Sequence, residues 1–125
     1  MRRRLFIVIP LIGGFLIFLS AFAHAFLGWP QMSEDLATTN AGSDLVSGVQ
    51  VGWIFGSFAM LAFGLIVIIN TVRLLRGTAV SRTPVVITGF TYVVFGLWAY
   101  LARDYNPHFF FFIMPGLMIL LILKR

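Results

Sequence analysis

Gly48-Val-Gln-Val-Gly52-Trp-Ile-Phe-Gly56-Ser-Phe-Ala59-Met-Leu-Ala62 lies inside a long, uncharged apolar segment. At about 100° per residue on an α-helix, Gly48, Gly52, Gly56, Ala59 and Ala62 fall within an arc of about 120°. Small residues on one flank let a neighbouring backbone come close, which is how many helices associate in lipid. The stretch therefore predicts a membrane-spanning helix with a glycine-zipper flank on which the other helices close.

The surrounding chain supports lipid as the solvent. Of its 125 residues, 60% are hydrophobic and 10% charged, and the mean hydropathy is +1.00. Soluble domains sit near about 45–50% apolar and about 25% charged, so a water-soluble core does not absorb this composition. The net charge of +5 does not mark a nucleic-acid surface, because the basic residues stand at segment ends and form no patch. There is no cysteine, which excludes disulfides, thiolate metal sites and thiol redox chemistry.

Apolar runs long enough to cross a bilayer place four spans at about 5–27, 49–75, 84–102 and 108–123, with residues 28–47 as an outer loop. The fold class is all-α, a four-transmembrane-helix bundle forming one integral membrane domain. Ala21-Phe-Ala23-His-Ala25 carries A-x-A triplets, but the apolar run before it exceeds the roughly 7–15 residues of a signal peptide, so a retained helix is expected. Within the loop, Ser33 and Ser43 are candidate helix caps, and Asn40-Ala-Gly42 is a turn. Trp29 and Trp53 suit an interfacial aromatic belt. Pro84 opens the third span.

Three basic residues precede the first span, three lie between the second and third, and two end the chain, against Arg103 alone on the other side. The positive-inside rule then puts both termini in the cytoplasm of a cell (inner) membrane and the acidic 28–47 segment outside.

No Asp, Glu, Lys or Arg occupies the middle of a span. Ionisable residues at depth mark proton and ion paths, so their absence argues against proton-coupled cation export of the kind that depends on a membrane-embedded glutamate. Toward the cytoplasmic side, Asn70 and Thr88 are expected to join the packing set by interhelical hydrogen bonds of about 0.6–2 kcal/mol each. Toward the outer side, His24, Tyr100, Asp104 and His108 converge on one level, with Ser20 one turn before His24. This set is the candidate cofactor-binding cluster, for quinone or haem, although no repeated spacing marks a metal site. Phe109 to Phe112, Phe90, Phe95, Trp98 and Tyr92 form either a flat ligand wall or lipid-facing and bundle-filling packing.

His24-Ala-Phe-Leu-Gly28-Trp-Pro30, Val51-Gly-Trp-Ile-Phe-Gly-Ser57, and Asn106-Pro-His-Phe109 followed by Pro115-Gly-Leu117 resemble a family of small bacterial four-helix integral membrane proteins with no assigned activity. The resemblance implies a bacterial four-span protein and carries no catalytic residue. Catalysis has no visible apparatus: there is no Ser/His/Asp set, no phosphate loop and no dry carboxylate pair. The primary expectation is a non-enzymatic accessory, assembly or scaffold subunit, partnered by the bilayer and by other membrane proteins or itself, and not by nucleic acid. The alternative is a binding protein for an apolar cofactor (quinone, haem or lipid) in membrane electron transfer or lipid handling. A small transporter or channel, with Asn70, Thr88 and Thr91 along its path, is the third.

Overall fold

The computed structural model describes residues 2–124, with side chains from Arg4 onward, and is all-helical with no strand among them. The side chains of Arg2 and Arg3 and all of Arg125, counted above for orientation, lie outside the described residues. Helix α1 (Arg2–Ala23) passes through a π turn (His24–Gly28) directly into α2 (Trp29–Thr38). A short turn leads to α3 (Ser43–Leu75), and α4 (Thr83–Ala102) follows. A 3-10 turn (Pro107–Phe109) opens α5 (Phe110–Leu120), which ends in a second 3-10 turn (Leu121–Lys124). Four helical stretches, Arg4–Thr38, Ser43–Leu75, Thr83–Ala102 and Pro107–Lys124, are long and apolar enough to cross a membrane.

The expected loop at 28–47 is mostly helix. Ser33 is not a cap: its hydroxyl donates to the Pro30 carbonyl at 2.7 Å within α2. The turn narrows to the residues around Asn40, whose φ is +52°, a left-handed value that asparagine tolerates well. Gly42 takes the N-cap position of α3 without a side-chain bond, so Ser43 is not a cap either. The loop reading failed because Trp29–Thr38 is amphipathic and polar enough to leave the apolar run, yet nothing in it breaks a helix. Pro30 stands just past the π turn, as the second residue of α2. At about 1.5 Å per residue, the 35 residues of Arg4–Thr38 and the 33 of α3 outrun the roughly 30 Å hydrocarbon layer. The 20 residues of α4 match it.

Packing divides the bundle into two antiparallel pairs, α1 with α3 and α4 with α5. Helix α1 bridges them by also lying along α5, while α3 and α4 touch little. The glycine flank of α3 is not the seam. A Cβ placed on Gly48 or Gly52 meets nothing within 4 Å, and one on Gly56 makes only ordinary contact, 3.5 Å from the His24 ring. Ala62 is exposed and Ala59 half-buried. The buried set of α3 is Ser57, Gly64, Val67, Thr71 and Leu74, which lies about 110° further around the helix.

Close backbone approach occurs instead at Gly64, where a Cβ would stand 2.7 Å from the Phe18 amide nitrogen. Across the same seam, a Cβ on Gly14 would stand 2.8 Å from the Val67 side chain. The α4–α5 seam uses the same device: a Cβ on Gly96 would be 3.0 Å from the Ile113 nitrogen, and one on Gly116 would be 2.9 Å from the Gly89 carbonyl. The core joining the pairs includes Ile7, Ile17, Val67, Val85, Tyr92, Ile119 and Ile122.

The polar packing residues also act differently from expectation. The Asn70 amide donates to the Ile66 carbonyl at 2.7 Å, and the Thr88 hydroxyl to the Pro84 carbonyl at 2.9 Å. Both bonds close within their own helix, the habit by which short polar side chains serve a backbone carbonyl one turn back. Thr88 remains a packing residue through its burial.

Candidate functional site

The π turn is where the site is built. A widened i→i+5 turn disturbs the regular carbonyl pairing of an α-helix, and such turns recur at functional sites. Here the His24 carbonyl accepts the indole N–H of Trp53 on α3 at 2.7 Å. The two rings stack, with centroids 4.2 Å apart and planes 8° from parallel. Gly28 provides the flat seat for this indole, since a Cβ there would stand 2.8 Å from the Trp53 ring. Trp53 is therefore held at the α1–α3 seam. Trp29 lies beside it at 6.4 Å. The His24–Pro30 and Val51–Ser57 blocks meet at this point.

The His24 ring is then fixed by Ser57. The Ser57 hydroxyl donates to the Trp53 carbonyl at 3.2 Å, and its oxygen lies 2.9 Å from His24 Nδ1. A hydroxyl has one proton. The imidazole tautomer decides whether Nδ1 donates to the Ser57 oxygen or accepts from its hydroxyl. Nε2 has no protein partner among the described residues, and it is not sealed off.

His24 lines a cavity of about 520 Å³ between the two helix pairs. Its inner end is apolar, formed by Ile17, Met60, Phe112 and Pro115, and its outer end reaches Gln31, Asp35 and His108. From Ile17 to Asp35 it runs along about 27 Å of one continuous helix. Ser20 also lines it, its hydroxyl turned back to the Leu16 carbonyl at 2.7 Å. Tyr92, from α4, closes the inner part. It is 6% exposed and stands against Phe63 at 6.2 Å and Phe112 at 6.0 Å. Its hydroxyl is buried with no hydrogen-bond partner among the described residues, where an unmade bond costs about 1–3 kcal/mol.

No known protein-family model, curated protein or solved structure matches the chain. What the cavity takes is read from its lining alone.

Of the four cluster residues expected from the sequence, His24 and His108 do line one cavity, from α1 and from the start of α5. Tyr100 and Asp104 do not line it. Tyr100 packs against Tyr105 at 5.4 Å and Phe110 at 5.2 Å. Asp104 is exposed at φ +52°, a turn-forming residue between α4 and α5. Among the described residues no group of three His, Asp or Glu side chains is placed to hold a metal ion. The aromatic set splits: Tyr92, Phe111 and Phe112 line the cavity, whereas Phe90, Phe95 and Trp98 border a shallow groove on the outer side of α4. Trp53 and Ser57 were missed as site residues. Their signal was the one-turn interval between His24 and Gly28, facing the one-turn interval between Trp53 and Ser57.

Proposed function

We propose that this chain is a non-enzymatic, multi-pass protein of a cell (inner) membrane that binds an apolar, membrane-soluble ligand between its two helix pairs. Among the readings raised by the sequence, the cofactor-binding one draws the most support. The observation that carries it is the cavity itself. Ligand sites run to about 300–1,000 Å³, are lined mostly by apolar and aromatic side chains, and carry a few convergent polar groups. This one has about 520 Å³, aromatic walls, and Tyr92, His24 and His108 as its polar points. With both termini cytoplasmic, as the arginine distribution favours, its polar end lies toward the outer leaflet.

The accessory-subunit reading keeps one supporting observation. The groove formed by Phe90, Thr91, Val94, Phe95 and Trp98 gives α4 an uneven apolar flank suited to lateral packing against another membrane helix. A transport path draws no support, because Asn70, Thr88 and Thr91 each bond their own helix.

The test is to purify the full chain in mild detergent and analyse extracted small molecules by mass spectrometry, beside Ala23→Phe. Ala23 lines the cavity, and a phenyl group there occupies the ligand's space. A lipophilic molecule at near-stoichiometric yield in the wild type, depleted several-fold in the variant, is expected. Equal yields in both would remove the reading.

A further inference from the structure

Resting on the cavity as a binding site, we infer that its occupant is a bilayer glycerolipid that slides one acyl chain in sideways from its own leaflet. The argument from depth comes first. Helix α4 has 20 residues, about 30 Å of rise and so the thickness of the hydrocarbon layer. Its middle residue, Tyr92, therefore marks the bilayer midplane. A Cβ on Gly116 would stand 3.0 Å from the Tyr92 Cβ, which sets the adjoining Pro115 at that depth. Ile17 is at the same level, because Phe63 packs on Tyr92 and the next residue, Gly64, lies against Phe18. Tyr92, Pro115 and Ile17 all line the cavity, so its inner end is at the midplane. At its outer end, His108 follows the end of α4, and Gln31 stands about 21 Å further along the helix than Ile17. The cavity thus spans one leaflet, the outer one by the arginine count. It is apolar through hydrocarbon depth and polar where head groups lie, and a lipid of that leaflet has the same profile in the same direction.

Access points the same way. Leu27 on the π turn and Phe111 on α5 line the cavity, yet they are 72% and 69% exposed. Phe111 lies within hydrocarbon depth, next to the Phe112 side chain that packs on Gly96. Leu27 lies at its margin, about 15 Å above Ile17. The rim they form opens toward lipid chains. Nearer the midplane α1 and α5 close up, since a Cβ on Gly13 would stand 3.1 Å from the Pro115 carbonyl oxygen.

Charge and supply complete the assignment. No Lys or Arg lines the cavity, so no cation there fixes an anionic head group, and recognition falls on the chain. A site that opens into hydrocarbon and asks for a chain is filled by mass action. The chain-bearing molecule in greatest supply around it is the bilayer lipid.

The experiment uses the full chain in mild detergent, with dioleoyl-phosphatidylcholine added and the excess washed away. Native mass spectrometry should find about one lipid kept per chain. Ala23→Phe should lower that yield about fivefold. Leu19→Phe adds a ring at an exposed position outside the lining and should keep the lipid. The direction of the chain is read in Trp29→Phe/Trp98→Phe, which leaves Trp53 as the one tryptophan. Trp53 stacks on His24, nearer the head-group end of the cavity than the midplane. Phosphatidylcholine brominated near the glycerol should quench its fluorescence about twice as strongly as one brominated near the methyl end of the chain. Equal or reversed quenching, or equal lipid yield from wild type and Ala23→Phe, overturns the assignment. Should Ala23→Phe fail to fold, the quenching order decides. If phosphatidylcholine is not kept but another co-purified lipophile is still lost in Ala23→Phe, the lipid class falls and the cavity reading stands. If nothing is bound or lost, both fall.

Discussion

Helix α3 carries two sets of glycines with opposite fates. Gly48 and Gly52 face open space, whereas Gly64 lies against the α1 backbone so closely that a single added carbon would stand 2.7 Å from the Phe18 nitrogen. Both look like packing glycines on paper. The difference is what lies opposite, and it teaches that a small residue marks a helix contact only when the partner helix has a matching flat place. At Gly64 the partner contributes Phe18 backbone and, one turn away, Gly14, so the two helices are relieved of side chains at the same crossing. At Gly48 and Gly52 the chain has already risen to the level of α2, whose contact with α3 is slight.

The largest effect that would break this contrast is expected at Gly64. Gly64→Leu should abolish a stable monomeric fold, and Gly64→Ala should lower stability by about 1–3 kcal/mol, the range for overpacking a close-packed seam. Thermal unfolding in detergent measures both. Gly96→Val should act similarly on the α4–α5 seam, where the obstacle is the Ile113 amide nitrogen at 3.0 Å. Stability indistinguishable from wild type at either site would mean that the seams are looser than described.

The seam of α3 was hard to read from the sequence for a physical reason. A helix in water shows its buried face by hydrophobic contrast. In lipid the outer face is apolar too, as exposed Val51, Phe55, Phe58, Leu65 and Ile69 show, so small residues are the main remaining signal. The glycine arc was the denser such signal, and it was the wrong one. Ser57, Gly64, Val67 and Thr71 mix small, branched and polar residues and present no obvious stripe. The four spans and their order were legible because they rest on total apolarity, which needs no partner. The extent of the first helix was not, because an amphipathic continuation past Gly28 resembles a loop in composition.

The site was half legible. His24 and His108 stand out as the two histidines near one end of the spans, and they do reach one cavity. Asp104 and Tyr100 were grouped with them by level alone. Level ignores rotation about the helix axis, and the left-handed residues Asp104 and Tyr105 turn the chain there. Tyr92 was visible only as one aromatic among many, since nothing in a sequence shows that a hydroxyl will be buried without a partner.

An intermediate effect sharpens the picture at the π turn. Trp53→Phe retains a ring to stack on His24 but removes the donor to the His24 carbonyl. The loss should be about 1 kcal/mol for the bond, with a further contribution from the smaller ring. If the indole N–H fixes the widened turn, amide exchange at residues 24–28 should rise in this variant while exchange around Gly64 stays unchanged. Uniform acceleration along α1 would show instead that Trp53 acts through general packing.

The smallest effect is expected at Gly52, and it is the strictest test of the contrast. Gly52→Leu adds four carbons to a position with no atom within 4 Å of its Cβ, beside exposed Val51 and Phe55. Leucine is at ease facing lipid, and it is the better helix former by up to about 1 kcal/mol. Thermal stability should therefore stay within about 0.5 kcal/mol of wild type or rise slightly. The same reasoning makes Gly56→Ala neutral, since its Cβ would make ordinary contact with the His24 ring. A loss above about 1 kcal/mol in Gly52→Leu would require something to lie against that flank. A matching fall in oligomer size on a sizing column would identify it as a second copy of the chain. The glycine flank would then be a seam after all, between molecules instead of within one.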